Sequence, residues 1–230
     1  MKTVGVLGGM GPAATIDFFA RVVRATPART EQEHLHLIID NNPGVPDRNR
    51  AVAGTGPSPG PALAQMAQRL EQAGADFLVM PCNTAHAFAD HIRAATPLPF
   101  IDMIEQTVQV VTANPGINVG LLAADGCLLA GLYQTQLAKV GRTAVVPNVG
   151  QQQSFMRALY QIKTGEMRES RESIREVAEA LVEQGVELMI AACTEVPLVL
   201  RAEDLTVPLV VSTDVLVART IERAQRSDTL

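Results

Sequence analysis

An internal repeat governs what this chain can become. Leu63, Met66, Ala67, Leu70 and Gly74 recur 111 positions later as Ile174, Val177, Ala178, Leu181 and Gly185. The apolar positions fall on one face of a helix, and the glycine ends it. An apolar run suited to a strand follows in each copy, Phe77 to Met80 and Leu188 to Ala191. The same register carries Cys82 onto Cys193 and Thr84 onto Glu195, with Pro99 and Pro208 following at nearly the same separation. Val4 to Leu7 likewise resembles Val119 to Leu122. Two similar halves, each running a strand into a cysteine, are the simplest account.

The remaining segments fit that plan. Val4 to Leu7 reads as a strand, Gly8-Gly9-Met10-Gly11-Pro12 as a glycine loop, and the stretch through Ile16, Phe19, Ala20 and Val23 as a helix. His36 to Asp40, Pro99 to Ile101 and Asn118 to Ala123 read as further strands. Asn41 to Pro61 is a long irregular stretch rich in Gly and Pro, of the kind that is usually functional or mobile. Strands alternating with helices imply parallel sheets. The expected fold is therefore α/β: two similar α/β domains with parallel sheets, related by pseudo-twofold symmetry, with the active site in the interdomain cleft. The boundaries expected are 1–104 with 212–230 for the N-terminal half and 105–211 for the C-terminal half. The tail after Ile221, with Arg223, Arg226 and Asp228, is expected to fray.

Composition narrows the function. A chain of 230 residues that is 47% hydrophobic can bury one large core or two half-sized ones. A net charge of -5 with no basic stripe argues against a nucleic-acid partner and for a small molecule. The apolar run after Met1-Lys2-Thr3 is too short for a signal peptide, and no run reaches membrane-spanning length, so the chain reads as cytoplasmic with no membrane partner. Three cysteines without a C-x-x-C pair speak against a disulfide framework or a structural zinc site, so each needs its own explanation.

In parallel α/β sheets ligands bind beyond the carboxyl ends of the strands, where Cys82 and Cys193 both stand. If the halves face each other, the thiols approach one cleft from opposite sides, which suits removing a proton from one face of a carbon and delivering one to the other. A free thiol has a pKa of about 8.5, so one cysteine must be held as thiolate. Asn83, Thr84, Thr194 and Glu195 are the local candidates, together with helix N-termini expected after both strands. Cys127 lies outside the register among Leu128, Leu129 and Ala130 and reads as core. The glycine loop lacks G-x-G-x-x-G spacing, so it is either a carboxylate cradle or a tight turn. Arg48 could take a carboxylate with two parallel hydrogen bonds, its alternative being an ordinary surface arginine. Lys163 has less local support. His86, one turn beyond Cys82, reads as a packing residue, with tuning of the thiol as the alternative.

Gly8 to Pro12, Pro46-Asp-Arg48, Pro81-Cys-Asn-Thr-Ala-His86, Gly131-Leu-Tyr133, Ile162-Lys163 and Ala192-Cys-Thr-Glu195 together resemble the aspartate/glutamate racemase family, its aspartate racemase branch above all. The resemblance spans nearly the whole chain. It implies a homodimeric, PLP-independent enzyme that needs neither cofactor nor metal and acts on a small-molecule carboxylate. Cys82 and Cys193 would be its thiolate and thiol, exchanging roles with substrate enantiomer. Asn83, Thr84 and Thr194 would bind the α-carboxylate and amino group, Arg48 and Lys163 would lie near substrate carboxylates, Met10 and Gly11 would line the pocket, and Glu195 would join the binding set. Ala124 and Cys127 stand in a stretch where relatives usually carry threonines, which leaves the accepted side chain open. The alternatives to an aspartate or glutamate racemase are a related cysteine-dependent isomerase or hydantoin racemase, or a catalytically silent ligand-binding homologue.

Overall fold

The computed structural model describes residues 1–165 and 167–226. The first half runs β1 (Val4–Gly8), α1 (Pro12–Ala25), β2 (Leu37–Asn41), α2 (Arg48–Val52), α3 (Gly60–Gln72), β3 (Phe77–Val79), α4 (Ala89–Ala95) and α5 (Met103–Thr112). The second runs β4 (Asn118–Ala123), α6 (Asp125–Leu129), α7 (Leu132–Lys139), β5 (Thr143–Val145), α8 (Val149–Thr164), α9 (Met167–Glu183), β6 (Leu188–Ala192), β7 (Leu209–Val211) and α10 (Ser212–Gln225). Two wholly parallel sheets result, ordered β2-β1-β3 and β5-β4-β6-β7.

The repeat is visible in this topology, since β1, β2 and β3 hold the places of β4, β5 and β6. The counterpart of β7 is reduced to one parallel bridge between Leu78 and Phe100. Leu78 N–H still donates to the Pro99 carbonyl at 2.8 Å, as Met189 N–H does to that of Pro208 at 2.9 Å. The strand expected over Pro99 to Ile101 is cut short where Asp102 already caps α5, accepting from Ile104 and Glu105 N–H.

Burial follows the repeat as well. Leu63, Met66, Ala67 and Leu70 of α3 pack with Leu7, Leu78 and Met80, while Ile174, Val177, Ala178 and Leu181 of α9 pack with Leu122, Met189 and Ala191. Each such leucine or isoleucine contributes about 1.5–3 kcal/mol by leaving water. The last helix of each half then crosses over. Ile104, Val108 and Val111 of α5 join Val119, Leu121 and Ile190 of the second sheet, and Leu216, Val217 and Ala224 of α10 join Val4, Val6 and Phe18 of the first. This exchange fixes the two sheets against one another.

Three expectations change. Helix α10 continues through Gln225 instead of fraying after Ile221, because Ala224 is fully buried and its carbonyl accepts Lys2 N–H at 2.9 Å; Asp228 lies outside the described residues. The Asn41 to Pro61 stretch is not wholly irregular, since Asp47 accepts from Arg50 N–H and starts α2. Helix α1 exists, but it buries Ala14, Thr15, Phe18 and Val22, leaving Ile16, Phe19 and Val23 70%, 44% and 41% exposed. Among the described residues no helix is long and apolar enough to cross a membrane.

Candidate active site

Strands β3 and β6 leave their sheets at the carboxyl edge and deliver Cys82 and Cys193 three and one residues later, after Met80-Pro81 and directly after Ala192. Neither cysteine leads into the α-helix N-terminus expected from the sequence. Each is followed by a tight 3-10 turn, Thr84–Phe88 and Val196–Leu198, closed by His86 N–H to the Asn83 carbonyl and Leu198 N–H to the Glu195 carbonyl. Cys82, Asn83, Thr84, Cys193, Thr194 and Glu195 are all buried.

The halves meet here in matching fashion. Gly11 and Gly126 stand at corresponding positions, four residues past Leu7 and Leu122. A Cβ built on Gly11 would lie 3.8 Å from Glu195 Oε1, and one on Gly126 would lie 2.8 Å from Thr84 Cγ2. Each half's first loop therefore lies against the residue two places beyond the other half's cysteine. Those two residues, Thr84 and Glu195, are repeat mates of different chemistry, and they make the site unsymmetrical.

Glu195 organises the second cysteine. Cys193 Sγ donates to Glu195 Oε2 at 3.0 Å, and Thr194 Oγ1 donates to the same oxygen at 3.2 Å. Burial first, and the Glu195 carboxylate second, push the Cys193 thiol well above its ordinary range, so this cysteine rests protonated. Lys163 reaches in from the end of α8, with Nζ 3.9 Å from Glu195 Oε1. Burial works against its charge, but Glu195 and then Cys193 and Cys82 outweigh it, and the ammonium is held above its ordinary pKa.

Arg48 enters from α2. Its Nη1 donates to the carbonyls of Val45 and Pro46 at 3.2 and 3.1 Å, and Nη2 to that of Met10 at 3.4 Å. Among the described residues, Nε–H and one Nη2–H take no partner. Met10 itself is buried, and the loop before it is tight: a Cβ on Gly9 would fall 2.4 Å from the Asn42 backbone, and Gly9 N–H donates to Thr15 Oγ1 at 2.9 Å. Arg48, Lys163, Met10, Gly11, Thr84, Thr194 and Glu195 thus gather around the two cysteines.

Two residues near Cys82 are engaged elsewhere. Asn83 spends its side chain inward, accepting from Tyr133 OH at 2.6 Å and donating to Ser212 Oγ at 3.2 Å. His86 donates from Nδ1 to the Cys82 carbonyl at 2.8 Å while Nε2 accepts Met103 N–H at 3.1 Å. Burial lowers its pKa, so it stays neutral and pins the turn to the start of α5. Cys127 packs in the second core, its thiol pushed up to about 12 by burial and then by Cys82. Among the described residues, no group of three or more His, Cys, Asp or Glu could hold a metal ion. Sequence reasoning missed Tyr133 and Ser212 as partners of Asn83; only Tyr133 carried a signal, in the Gly131-Leu-Tyr133 segment.

The Asp/Glu/Hydantoin racemase family model matches residues 7–220. The chain is 24% identical over 222 residues to the broad specificity amino-acid racemase RacX of Bacillus subtilis (strain 168), spanning 95% of this chain and 96% of that one. Its structure is similar to that of Picrophilus torridus aspartate racemase, with a TM-score of 0.90 and 30% identity over 99% of this chain and 96% of that chain. An aspartate racemase homologue from Pyrococcus horikoshii OT3 shares the fold, with a TM-score of 0.79 and 24% identity over 98% and 100% of the two chains.

Proposed function

This chain belongs to the Asp/Glu/Hydantoin racemase family, and on that premise we propose that it interconverts the L and D forms of an acidic amino acid, aspartate first and glutamate second, by proton transfer between Cys82 and Cys193. The observation that carries this reading is the pairing of Cys193, a buried thiol 3.0 Å from Glu195 Oε2, with a repeat mate, Cys82, that follows the equivalent strand of the other half. An acid already in place on one side calls for a base on the other. Cys82 as thiolate takes the α-proton, the Cα–H bond breaking as S–H forms. The electron pair moves toward the α-carboxylate, and Cys193 then delivers its proton to the opposite face of Cα. The reverse direction exchanges the two roles.

The surrounding charges suit such a substrate. Arg48 with its free guanidinium edge, and Lys163, can neutralise two carboxylates and the charge that develops on the carbanion. Glu195 has the wrong sign for a carboxylate and the right one for the substrate ammonium. Thr84, Thr194, Met10 and Gly11 complete the lining, and Asn83 serves by its backbone, since its side chain is committed. The aspartate preference draws on the resemblance to the Picrophilus torridus enzyme. Three free thiols suit the reducing cytoplasm. The exposed apolar residues of α1, Ile16, Phe19 and Val23, support a homodimer.

Chiral chromatography of L-aspartate, D-aspartate, L-glutamate and D-glutamate incubated separately with the reduced enzyme tests the proposal. Each active pair should approach an equal mixture from both sides, and Cys82→Ala and Cys193→Ala should each abolish conversion. No conversion of any of the four would refute the acidic-substrate reading.

A further inference from the structure

The stretch between β2 and α3 carries Arg48 on a helix of only five residues, with no buried side chain of its own. A helix that short is not stable by itself, so α2 must be fixed from outside. Val45 supplies part of the anchorage by burying its side chain in the first half. The rest comes from the other half. Asn49 Oδ1 accepts the N–H of Gly126 at 2.9 Å, a bond between residues 77 apart in sequence. Gly126 stands in the first turn of α6, where an amide has no partner within its own helix. The approach is close: a Cβ on Gly126 would meet Asn49 Oδ1 at 2.8 Å, Asn49 Cα at 3.0 Å and Thr84 Cγ2 at 2.8 Å. Three segments converge on this glycine, namely the Arg48 helix, the first turn of α6 and the turn that follows Cys82.

We propose that Asn49 is a positioning residue that latches the Arg48 segment across the cleft, holding the free Nε–H and Nη2–H edge of Arg48 where a substrate carboxylate meets it. The carboxylate rests on the racemase reading above; the latch is a property of the ligand-free protein. Without the Asn49 acceptor, α2 keeps its Asp47 cap, Val45, the Arg48 bonds to the Val45, Pro46 and Met10 carbonyls and the Arg50 bonds to Thr55, but loses its hydrogen bond to the other half, and the guanidinium loosens relative to Cys82 and Cys193. An aspartate at position 49 retains an oxygen that can accept the same N–H.

Two readouts separate the latch from the reaction. The first is trypsin cleavage of the ligand-free protein after Arg48 and Arg50, scaled to the cleavage rate of each denatured chain. Asn49→Ala should be cut about five- to tenfold faster than wild type, the loss expected from one hydrogen bond, and Asn49→Asp should restore protection. Equal cleavage of wild type and Asn49→Ala overturns the latch, whether or not the enzyme racemises aspartate. The second is a KM and kcat comparison in two backgrounds. Asn49→Ala should raise the KM for L-aspartate about tenfold with kcat nearly unchanged, and should alter KM less than about twofold once Arg48→Ala is present. A full effect of Asn49→Ala in the Arg48→Ala background overturns the claim that it acts through Arg48. Protection from trypsin together with no conversion of any acidic amino acid by wild type would leave the latch standing and refute the substrate reading instead.

Discussion

Replacing Tyr133 by phenylalanine removes one oxygen from a buried chain of hydrogen bonds that ties the Cys82 turn to the Cys193 strand. Tyr133 OH donates to Asn83 Oδ1 at 2.6 Å, Asn83 Nδ2 donates to Ser212 Oγ at 3.2 Å, and Ser212 Oγ donates to the Ala191 carbonyl at 2.8 Å. Tyr133, Asn83 and Ser212 are 0%, 3% and 0% exposed, so water cannot readily replace the lost donor. The phenylalanine ring keeps the apolar contacts of the tyrosine, which confines the change to the polar group. Leaving Asn83 Oδ1 buried without a donor costs about 1–3 kcal/mol, and the short, desolvated bond places the expected value near 2 kcal/mol. Urea unfolding followed by circular dichroism should show a lower midpoint with an unchanged m-value. Tm should fall by about 4–8 °C for a chain of this size. Because the three residues act as a chain, Ser212→Ala and Tyr133→Phe combined should depart from additivity by at least about 0.5 kcal/mol. A loss below about 0.5 kcal/mol for Tyr133→Phe, or strict additivity of the pair, would refute the reasoning.

Other substitutions test other parts of the structure. The folded state holds the Cys127 proton to about 12 against an ordinary 9.0, so the stability this contributes is complete below pH 9 and is lost as pH rises toward 12. Cys127→Ala should therefore lose about 1.4 kcal/mol less than wild type between pH 8 and pH 10 in denaturant titrations, and parallel curves would contradict this. Glu195→Gln removes the charge that helps hold Cys193 protonated, so the alkaline limb of kcat should move to lower pH; an unmoved limb would deny Glu195 that role. Gly126→Ala inserts a methyl group where three neighbours lie within 3.0 Å, and should cost about 1–3 kcal/mol in thermal unfolding, with no change in Tm as the refuting result. Phe19→Asp on the outward face of α1 should shift light-scattering mass from dimer to monomer without loss of helical signal, and a persisting dimer would place the interface elsewhere.

The sequence made the fold legible wherever a pattern repeated. The α3 and α9 faces, the strands behind them and both cysteines share one register, and the topology reproduces it down to the carbonyls of Pro99 and Pro208. Two three-residue strands, β5 and β7, escaped, whereas β3, of the same length, was legible through the repeat. Helix α1 was legible as a helix but not by its face, since apolar residues line two sides of it and only tertiary packing selects Phe18 and Val22 over Phe19 and Val23. At the candidate site, residue types pointed to Arg48 and Glu195 and the family resemblance to Lys163, whereas their partners were not legible. Nothing in the spacing links Asn49 to Gly126 or Asn83 to Tyr133 and Ser212, because those bonds cross between the halves. The sense of the asymmetry also needed coordinates, for only the Sγ to Oε2 distance pairs Cys193 with a carboxylate.

The two-thiol claim is tested most directly by following single turnovers in D2O. L-aspartate, or whichever acidic amino acid the enzyme converts best, is mixed with deuterium-equilibrated enzyme and sampled early by chiral separation and mass spectrometry. Two thiols on opposite faces predict that the D product carries deuterium at Cα while the recovered L substrate keeps its proton. Deuterium entering the L pool as fast as the D product would mean one base serving both faces, and would contradict the division of roles between Cys82 and Cys193.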